Sequence, residues 1–131
     1  MKKLAVFVLI VIFSEPLFAQ LDSALCSQFK TGLFAYRDDS SNAILMKRTA
    51  RRQEERIKKS GIVTKFKIRW LGACSYELTQ VWSNRRTGRK NNGSTTIVNI
   101  TAVKKDQYEY SCACKEPDVA NKSRGIMYRI E

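Results

Sequence analysis

The stretch that decides the fold is a hairpin that reads FKIRW at residues 66–70, LGA at 71–73 and CSYEL at 74–78. On both sides of the turn, apolar and polar residues alternate at every position. This is the period of a β-strand with one buried face and one solvated face. The hairpin therefore indicates an antiparallel β protein, and it leaves the activity open.

Short stretches of strand character separated by turn residues recur along the chain. We predict strands at residues 29–36, 43–49, 62–70, 74–82, 95–103, 107–115 and 124–130, a polar strand or single helical turn at 51–60, and a basic loop at 83–93. Several short strands at this spacing indicate a barrel or a sandwich. Because closure protects the edges of a small sheet, we expect a single antiparallel up-and-down barrel, or a strongly curved sheet, of about eight strands, lipocalin-like in form.

The N-terminal residues have the pattern of a secretory signal peptide. Lys2 and Lys3 precede an apolar run at 4–13, which is too short to cross a bilayer. We therefore expect residues 1–19 to be a signal peptide and residues 20–131 to form a single β domain in the periplasm or outside the cell. Leu25 is too bulky for the position before a lipidated cysteine, so we do not expect lipoprotein anchoring at Cys26.

The chain is strongly basic and contains no histidine. Its 24 Lys and Arg residues face 12 Asp and Glu residues, which gives a formal net charge of +12. Without histidine, a catalytic triad that uses this base and a histidine-containing zinc site are excluded. A Gly-rich phosphate loop is also missing, and several acidic residues (Asp38, Asp39, Asp106, Glu116 and Asp118) lie in predicted turns. We therefore expect no enzymatic activity, no cofactor and no metal.

Two segments carry a resemblance to a known group of proteins. CSQFKTG at 26–32 precedes a strand with Phe34 and Tyr36, and IRW at 68–70 precedes CSYEL at 74–78. This pattern resembles a family of small exported proteins of Bacteroidetes-type bacteria, and the resemblance implies no established activity. Some members carry a topoisomerase label, which does not suit a short, exported chain without an ATP site. The predicted barrel is also similar to lipocalin-like domains, whose first strand often has a glycine beside an aromatic residue.

The four cysteines predict two disulfides, because an even number in an exported protein usually pairs completely. In an up-and-down barrel Cys26 and Cys74 lie at the same end, whereas Cys112 and Cys114 lie roughly 16–23 Å away at the rise of a strand. Since disulfide partners need Cα atoms within about 7 Å, we predict the pair Cys26–Cys74. For Cys112 and Cys114, a strained redox-active bond, pairing with another cysteine and buried thiols all stay open.

Basic residues form the first candidate binding site. Residues of the 62–70 strand that alternate with its apolar side project together from one face, and a second group crowds the loop at 83–93. These candidate anion-binding residues are Lys65, Lys67, Arg69, Arg85, Arg86, Arg89 and Lys90. Neighbouring segments add Lys47, Arg48, Arg51, Arg52, Arg56, Lys58 and Lys59. Such a field attracts anionic membrane surfaces or polyanions, or only keeps the protein soluble. The aromatic residues have the opposite parity, so we do not expect specific nucleic-acid binding.

The barrel interior is the second candidate site. The positions expected to point inward are Phe66, Ile68, Trp70, Tyr76, Leu78, Tyr108 and Tyr110. Most of them suit a core, although an eight-stranded barrel can also hold one small apolar ligand. Gln80 alternates in phase with Leu78 and Trp82, so its side chain would point inward and orient such a ligand. We therefore expect a non-enzymatic exported barrel that binds an apolar ligand inside or an anionic surface outside. The alternative is a thiol-disulfide or metal-handling protein that uses Cys112 and Cys114.

Overall fold

The chain forms a closed barrel of eight antiparallel strands in the computed structural model, which describes residues 21–37, 43–112 and 124–130. Each strand pairs with the next one along the chain, and the first strand closes the barrel by pairing with the last. The predicted all-β up-and-down barrel is therefore confirmed. The predicted signal peptide and Cys114 lie outside the described residues.

The elements follow in chain order, one short α-helix and then the strands, with a 3₁₀ helix at Gly88–Asn91 after the fifth strand. They are α1 (Ser23–Ser27), β1 (Gly32–Arg37), β2 (Ala43–Arg48), β3 (Arg52–Ile57), β4 (Val63–Trp70), β5 (Ser75–Ser83), β6 (Thr95–Lys104), β7 (Gln107–Cys112) and β8 (Arg124–Arg129). The polar segment at 51–60 is the strand β3. The first strand begins at Gly32 and not at residue 29, because α1 and the turn after it occupy the preceding residues. None of the described helical segments has the length or hydrophobicity of a transmembrane helix.

The helix α1 closes one end of the barrel. Asp22 caps it, since its carboxylate accepts a hydrogen bond of 2.9 Å from the backbone N–H of Ala24. The disulfide Cys26–Cys74 joins α1 to the turn between β4 and β5, with 5.1 Å between the two Cα atoms, so the predicted pair is confirmed. Cys112 is disulfide-bonded as well. The end of the barrel is thus tied covalently to its central hairpin.

A β-bulge in the hairpin β4–β5 changes the direction of the side chains that follow it. Phe66 pairs with Gln80, but Lys65 pairs with Trp82, so Val81 is an extra residue in β5. An extra residue reverses the alternation of inward and outward positions. As a result the Trp82 side chain is 42% exposed, whereas Ser83 is buried. The inward parity predicted for Trp82 is therefore wrong.

Candidate anion-binding groove

The predicted inward positions do lie in or against the core. Tyr76, Leu78, Ile68 and Tyr108 are buried, and Gln80 is buried at the end of the same stretch of β5. The other three, which are Phe66, Trp70 and Tyr110, are partly buried and pack against the core cluster. The alternation of apolar and polar residues did not predict that a charged side chain lies at the centre of this cluster.

Arg48 lies inside the barrel with only 2% of its surface exposed. Its Nη2 donates to the hydroxyl oxygens of Tyr76 and Tyr108, at 3.0 Å and 2.9 Å. Nη1 donates to the carbonyl oxygen of Phe29 at 3.1 Å, and Nε donates to Oε1 of Gln53 at 2.8 Å. The expectation that Arg48 belongs to the basic surface is therefore wrong. The sequence did contain one signal of its burial, since Arg48 lies on the same side of β2 as the apolar residues Ile44 and Met46.

The cluster holds the guanidinium in its charged form. Burial acts to lower the pKa of Arg48, but Tyr76 and Tyr108 outweigh burial, so this pKa lies above its usual value. Burial also raises the pKa of Tyr76 well above the usual value for a phenol. The guanidinium further lies over the aromatic ring of Phe34, 4.9 Å from the ring centroid. Neutral hydroxyls, carbonyls and ring faces thus stabilise the buried charge.

Glu55 is connected to this cluster through Gln53. The amide nitrogen of Gln53 donates to Oε1 of Glu55 at 2.7 Å, while the amide oxygen accepts from Arg48. Burial raises the pKa of Glu55, although the hydrogen bond from Gln53 and the charge of Arg48 act in the opposite direction. The Gln53 side chain therefore connects Arg48 on β2 to the carboxyl group of Glu55 on β3 through two hydrogen bonds.

Gln80, the predicted ligand-orienting residue, is already engaged in the protein. Its side-chain nitrogen donates to the carbonyl oxygen of Gly88 at 2.6 Å and to Oδ1 of Asn92 at 3.1 Å. Gly88 packs tightly here, since an added Cβ would lie 2.7 Å from the Oγ of Ser83. These contacts anchor the loop between β5 and β6. The Gln80 amide therefore positions this loop.

Four cations surround one open groove on the outside of β2, β3 and β4. Lys47, Arg52, Lys65 and Lys67 are all exposed and line a volume of about 450 Å³. Strand register brings them together, because Lys65 faces Glu54 across β3 and β4, and Lys67 faces Arg52. The other lining residues are Thr49, Gln53, Glu54, Phe66 and Val81. We refer to the site of these four cations as the cationic groove.

The cationic groove has an excess of positive charge. Within the described part of the chain, Glu54 is the one carboxylate among its lining residues, and it lies 3.8 Å from the ammonium of Lys65. Glu54 also approaches Arg56 at 3.5 Å, so its charge is shared. No described carboxylate lies within ion-pair distance of Lys47, Arg52 or Lys67. The groove can therefore bind a ligand that carries more than one negative charge.

Arg69, the third predicted cation of β4, does not line the groove. Its guanidinium binds Glu77 through two hydrogen bonds, at 3.1 Å and 3.2 Å. Both this bond and the charge of Glu77 raise the pKa of Arg69. Because β4 and β5 place the two residues directly opposite each other, the pair is local to the hairpin. Arg69 therefore contributes less free positive charge than its neighbours on β4.

The cations of the loop at 83–93 form a separate group. None of the four predicted residues Arg85, Arg86, Arg89 and Lys90 lines the cationic groove. Arg89 donates from Nε to the carbonyl oxygen of Ser83 at 3.3 Å, which ties it to the loop itself. The remaining three are exposed. The structure thus divides the predicted basic surface into a groove on the barrel wall and a loop at its end.

An exposed aromatic side chain lies beside the groove. The ammonium of Lys65 lies 5.2 Å from the ring centroid of Trp82, which is a cation–π contact. Sequence parity missed this pairing because the bulge at Val81 turns Trp82 outward. Among the described residues, no group of three or more Cys, Asp or Glu has the geometry to hold a metal ion.

No protein-family model, no curated protein and no solved structure matches this chain with significant similarity.

Proposed function

We propose that this protein is a non-enzymatic binding protein that holds an anionic surface or polyanion in its cationic groove. The observation that carries the proposal is the convergence of Lys47, Arg52, Lys65 and Lys67 on one open groove, in which Glu54 is the one lining carboxylate among the described residues. A net charge of +12 adds a long-range field that steers anions toward the protein. Binding of this kind is strong at low salt and weak at high salt.

The barrel wall suits this task because it presents the cations from a rigid scaffold. Lys65 and Lys67 alternate with Phe66 along β4, so their stems are fixed by a strand whose other face is in the core. Pre-positioned charges lose less freedom on binding than charges on a mobile segment. The loop cations Arg85 and Arg86 do not line this groove, so they provide a comparison within the same protein.

The interior of the barrel gives less support to a ligand site. The hydroxyls of Tyr76 and Tyr108 already bind Arg48, and the amide of Gln80 already binds the loop. An apolar ligand there would have to displace these contacts. The alternative of thiol-disulfide or metal handling rests on Cys112 and Cys114, of which the second lies outside the described residues. Cys112 is disulfide-bonded, which fits a structural bond as well as a redox role.

We also propose that the protein is exported and is related to the family of small exported bacterial proteins that it resembles. Export is supported by the leader-like pattern of residues 1–19 and by the Cys26–Cys74 disulfide, a bond typical of oxidising compartments. The kinship rests on the segments at 26–32 and 74–78, and a lipocalin-like identity rests on the barrel topology alone. Cell fractionation followed by N-terminal sequencing tests export, and a protein that stays in the cytoplasm and begins at Met1 would contradict it.

The binding proposal is tested with dextran sulfate as a polyanion and with uncharged dextran, at about 0.05 M and about 0.5 M salt. The variant Lys65→Gln/Lys67→Gln removes two groove cations, and Arg85→Gln/Arg86→Gln removes two loop cations as a charge-matched control. We expect the groove variant to weaken dextran sulfate binding by roughly tenfold or more, at about 1 kcal/mol per cation, and the control by much less. Equal losses, or affinity that does not change with salt, would overturn the proposal.

A further inference from the structure

A second groove adjoins the cationic groove on the outside of the barrel. It has a volume of about 230 Å³, and its apolar lining includes Leu33, Leu45 and Ile130. Lys47 and Glu54 line both grooves, so the two form one continuous surface. We refer to the groove of Leu33, Leu45 and Ile130 as the apolar groove.

Backbone hydrogen bonds and strand pairing fix the positions of the residues that line the apolar groove, Ile130 included. The backbone N–H of Ile130 donates to the carbonyl oxygen of Leu33 at 2.9 Å. Across β1 and β2, Leu33 lies directly opposite Lys47, and across β2 and β3, Leu45 lies directly opposite Arg56. Two apolar side chains of this surface therefore lie directly opposite cations of the neighbouring strands.

The apolar side chains of this surface are accessible to a partner. The Ile130 side chain is 51% exposed, and Leu33 and Leu45 are half-buried. Tyr128 follows the same outward parity as Ile130 and lies opposite Ala35 on β1, where it is also exposed. A tyrosine at such an exposed position can place its ring against hydrocarbon and its hydroxyl in water.

We infer that the anionic partner of this protein is the surface of a lipid bilayer that contains anionic lipids, an inference that rests on the proposed function. A bilayer presents phosphate charges directly above hydrocarbon, and this wall presents cations directly beside exposed aliphatic side chains. A sulfated or nucleic-acid polyanion would satisfy Lys47, Arg52 and Lys67 but would leave Leu45 and Ile130 in water. The continuity of the two grooves through Lys47 therefore favours the lipid surface.

The resulting arrangement places the barrel with β1, β2 and β3 against the bilayer. Ile130, Leu33 and Leu45 would enter the layer at the level of the headgroups, while Lys47 and Arg56 contact phosphate oxygens. Arg52 and Lys67 extend the positive field to neighbouring headgroups. The strands supply a preformed surface, so binding needs no change in the barrel.

The inference is tested with vesicles of phosphatidylcholine, with and without phosphatidylglycerol, and with dextran sulfate as the soluble polyanion. The variant Leu45→Thr/Ile130→Ser removes aliphatic surface without a change in charge. A single control variant, Ile97→Ser, removes an isoleucine that is 39% exposed on β6, outside both grooves. We expect the double variant to bind anionic vesicles roughly tenfold more weakly than the native chain, since apolar burial is lost, and to bind dextran sulfate unchanged.

A second variant guards against misfolding of the first. Ile130→Trp enlarges the aromatic surface at the same exposed position, and we expect it to strengthen binding to anionic vesicles and to show a blue shift of tryptophan fluorescence on binding. Vesicle affinity that is no more sensitive to these changes than to Ile97→Ser overturns the lipid inference. If Lys65→Gln/Lys67→Gln still weakens dextran sulfate binding, the proposed function survives that result. Binding to neither vesicles nor dextran sulfate overturns both proposals, and equal binding to uncharged vesicles overturns the role of the cations.

Discussion

The Nη2 atom of Arg48 lies 3.0 Å from the hydroxyl oxygen of Tyr76, although their strands β2 and β5 are not neighbours in the sheet. The same nitrogen reaches Tyr108 on β7 at 2.9 Å. One side chain thus joins three separate parts of the barrel wall across the interior. Because its partners are neutral, the stability of the cluster depends on complete hydrogen bonding and not on an ion pair.

Replacing Arg48 by Met is expected to lower the free energy of unfolding by about 2–4 kcal/mol. The change leaves the carbonyl of Phe29 and the amide oxygen of Gln53 buried without their donor. Urea unfolding followed by circular dichroism measures the loss. Arg86→Met, which removes an exposed loop arginine, should alter the free energy of unfolding by less than about 0.5 kcal/mol.

A triple variant separates unsatisfied hydrogen bonding from loss of volume. In Arg48→Met/Tyr76→Phe/Tyr108→Phe the two hydroxyls that accept from Arg48, and that also hydrogen-bond each other at 3.2 Å, are removed as well. An apolar replacement of a whole polar cluster is often close to neutral, so we expect the triple variant to recover part of the stability lost by Arg48→Met. A triple variant that is less stable than Arg48→Met would contradict this account of the cluster.

Glu55 is expected to make the protein less stable as the pH rises. Its pKa is raised by burial in the folded state, so the ionised form is disfavoured there relative to the unfolded chain. The stabilisation that results from this shift is complete below the ordinary Glu pKa of about 4.3. It is lost as the pH rises past the raised pKa of Glu55. Gln53 and Arg48 reduce the shift but do not remove it.

The variant Glu55→Gln tests this pH dependence. The new amide keeps an oxygen that can accept a hydrogen bond from Gln53, but the side chain can no longer ionise. The decline in unfolding free energy between about pH 4 and about pH 7.5 should therefore be smaller than in the native chain. Glu54→Gln, on the outer face of the same strand, is the control and should retain the native decline. Parallel curves for Glu55→Gln and the native protein would show that Glu55 ionises freely in the fold.

The sequence predicts the barrel because its strongest signals are local. Alternation in the hairpin of β4 and β5, together with strand polarity, is enough to place Cys26 and Cys74 at the same end. Arg48 escapes prediction because its partners lie on β5 and β7, which approach β2 only across the interior of the closed barrel. Trp82 escapes because one extra residue, Val81, reverses the parity that the alternation implies.

The cationic groove shows the same limit on a larger scale. Lys65 and Lys67 share a face of β4, which the alternation predicts correctly. Their convergence with Lys47 and Arg52 depends on the register of β2 and β3, and β3 lacks an apolar face that would reveal this register in the sequence. Charge alone therefore identifies a basic surface but does not separate the groove from the loop at 83–93.

Gly125 is expected to tolerate a side chain poorly because Tyr110 covers it. The two residues pair across β7 and β8, and an added Cβ would lie 2.6 Å from the Tyr110 hydroxyl oxygen and 2.7 Å from Cζ. We expect Gly125→Ala to lower the free energy of unfolding by about 1–3 kcal/mol as the ring is displaced. In the Tyr110→Leu background the same change should cost less, and an equal cost in both backgrounds would contradict a clash with the ring.

The disulfide between Cys26 and Cys74 should be a major source of stability, since it closes a loop with a sequence separation of 48. In the chain-entropy model such a loop contributes about 4 kcal/mol by restricting the unfolded chain. Cys26→Ala/Cys74→Ala should therefore lower the unfolding free energy by an amount of this order while the barrel strands stay protected in hydrogen exchange. Serine is avoided because Cys26 is fully buried and a hydroxyl there would add a polar penalty. Under reducing conditions the difference between native chain and variant should shrink to the small packing loss of the two side chains. A difference that keeps its full size after reduction would assign the effect to packing and not to the covalent bond.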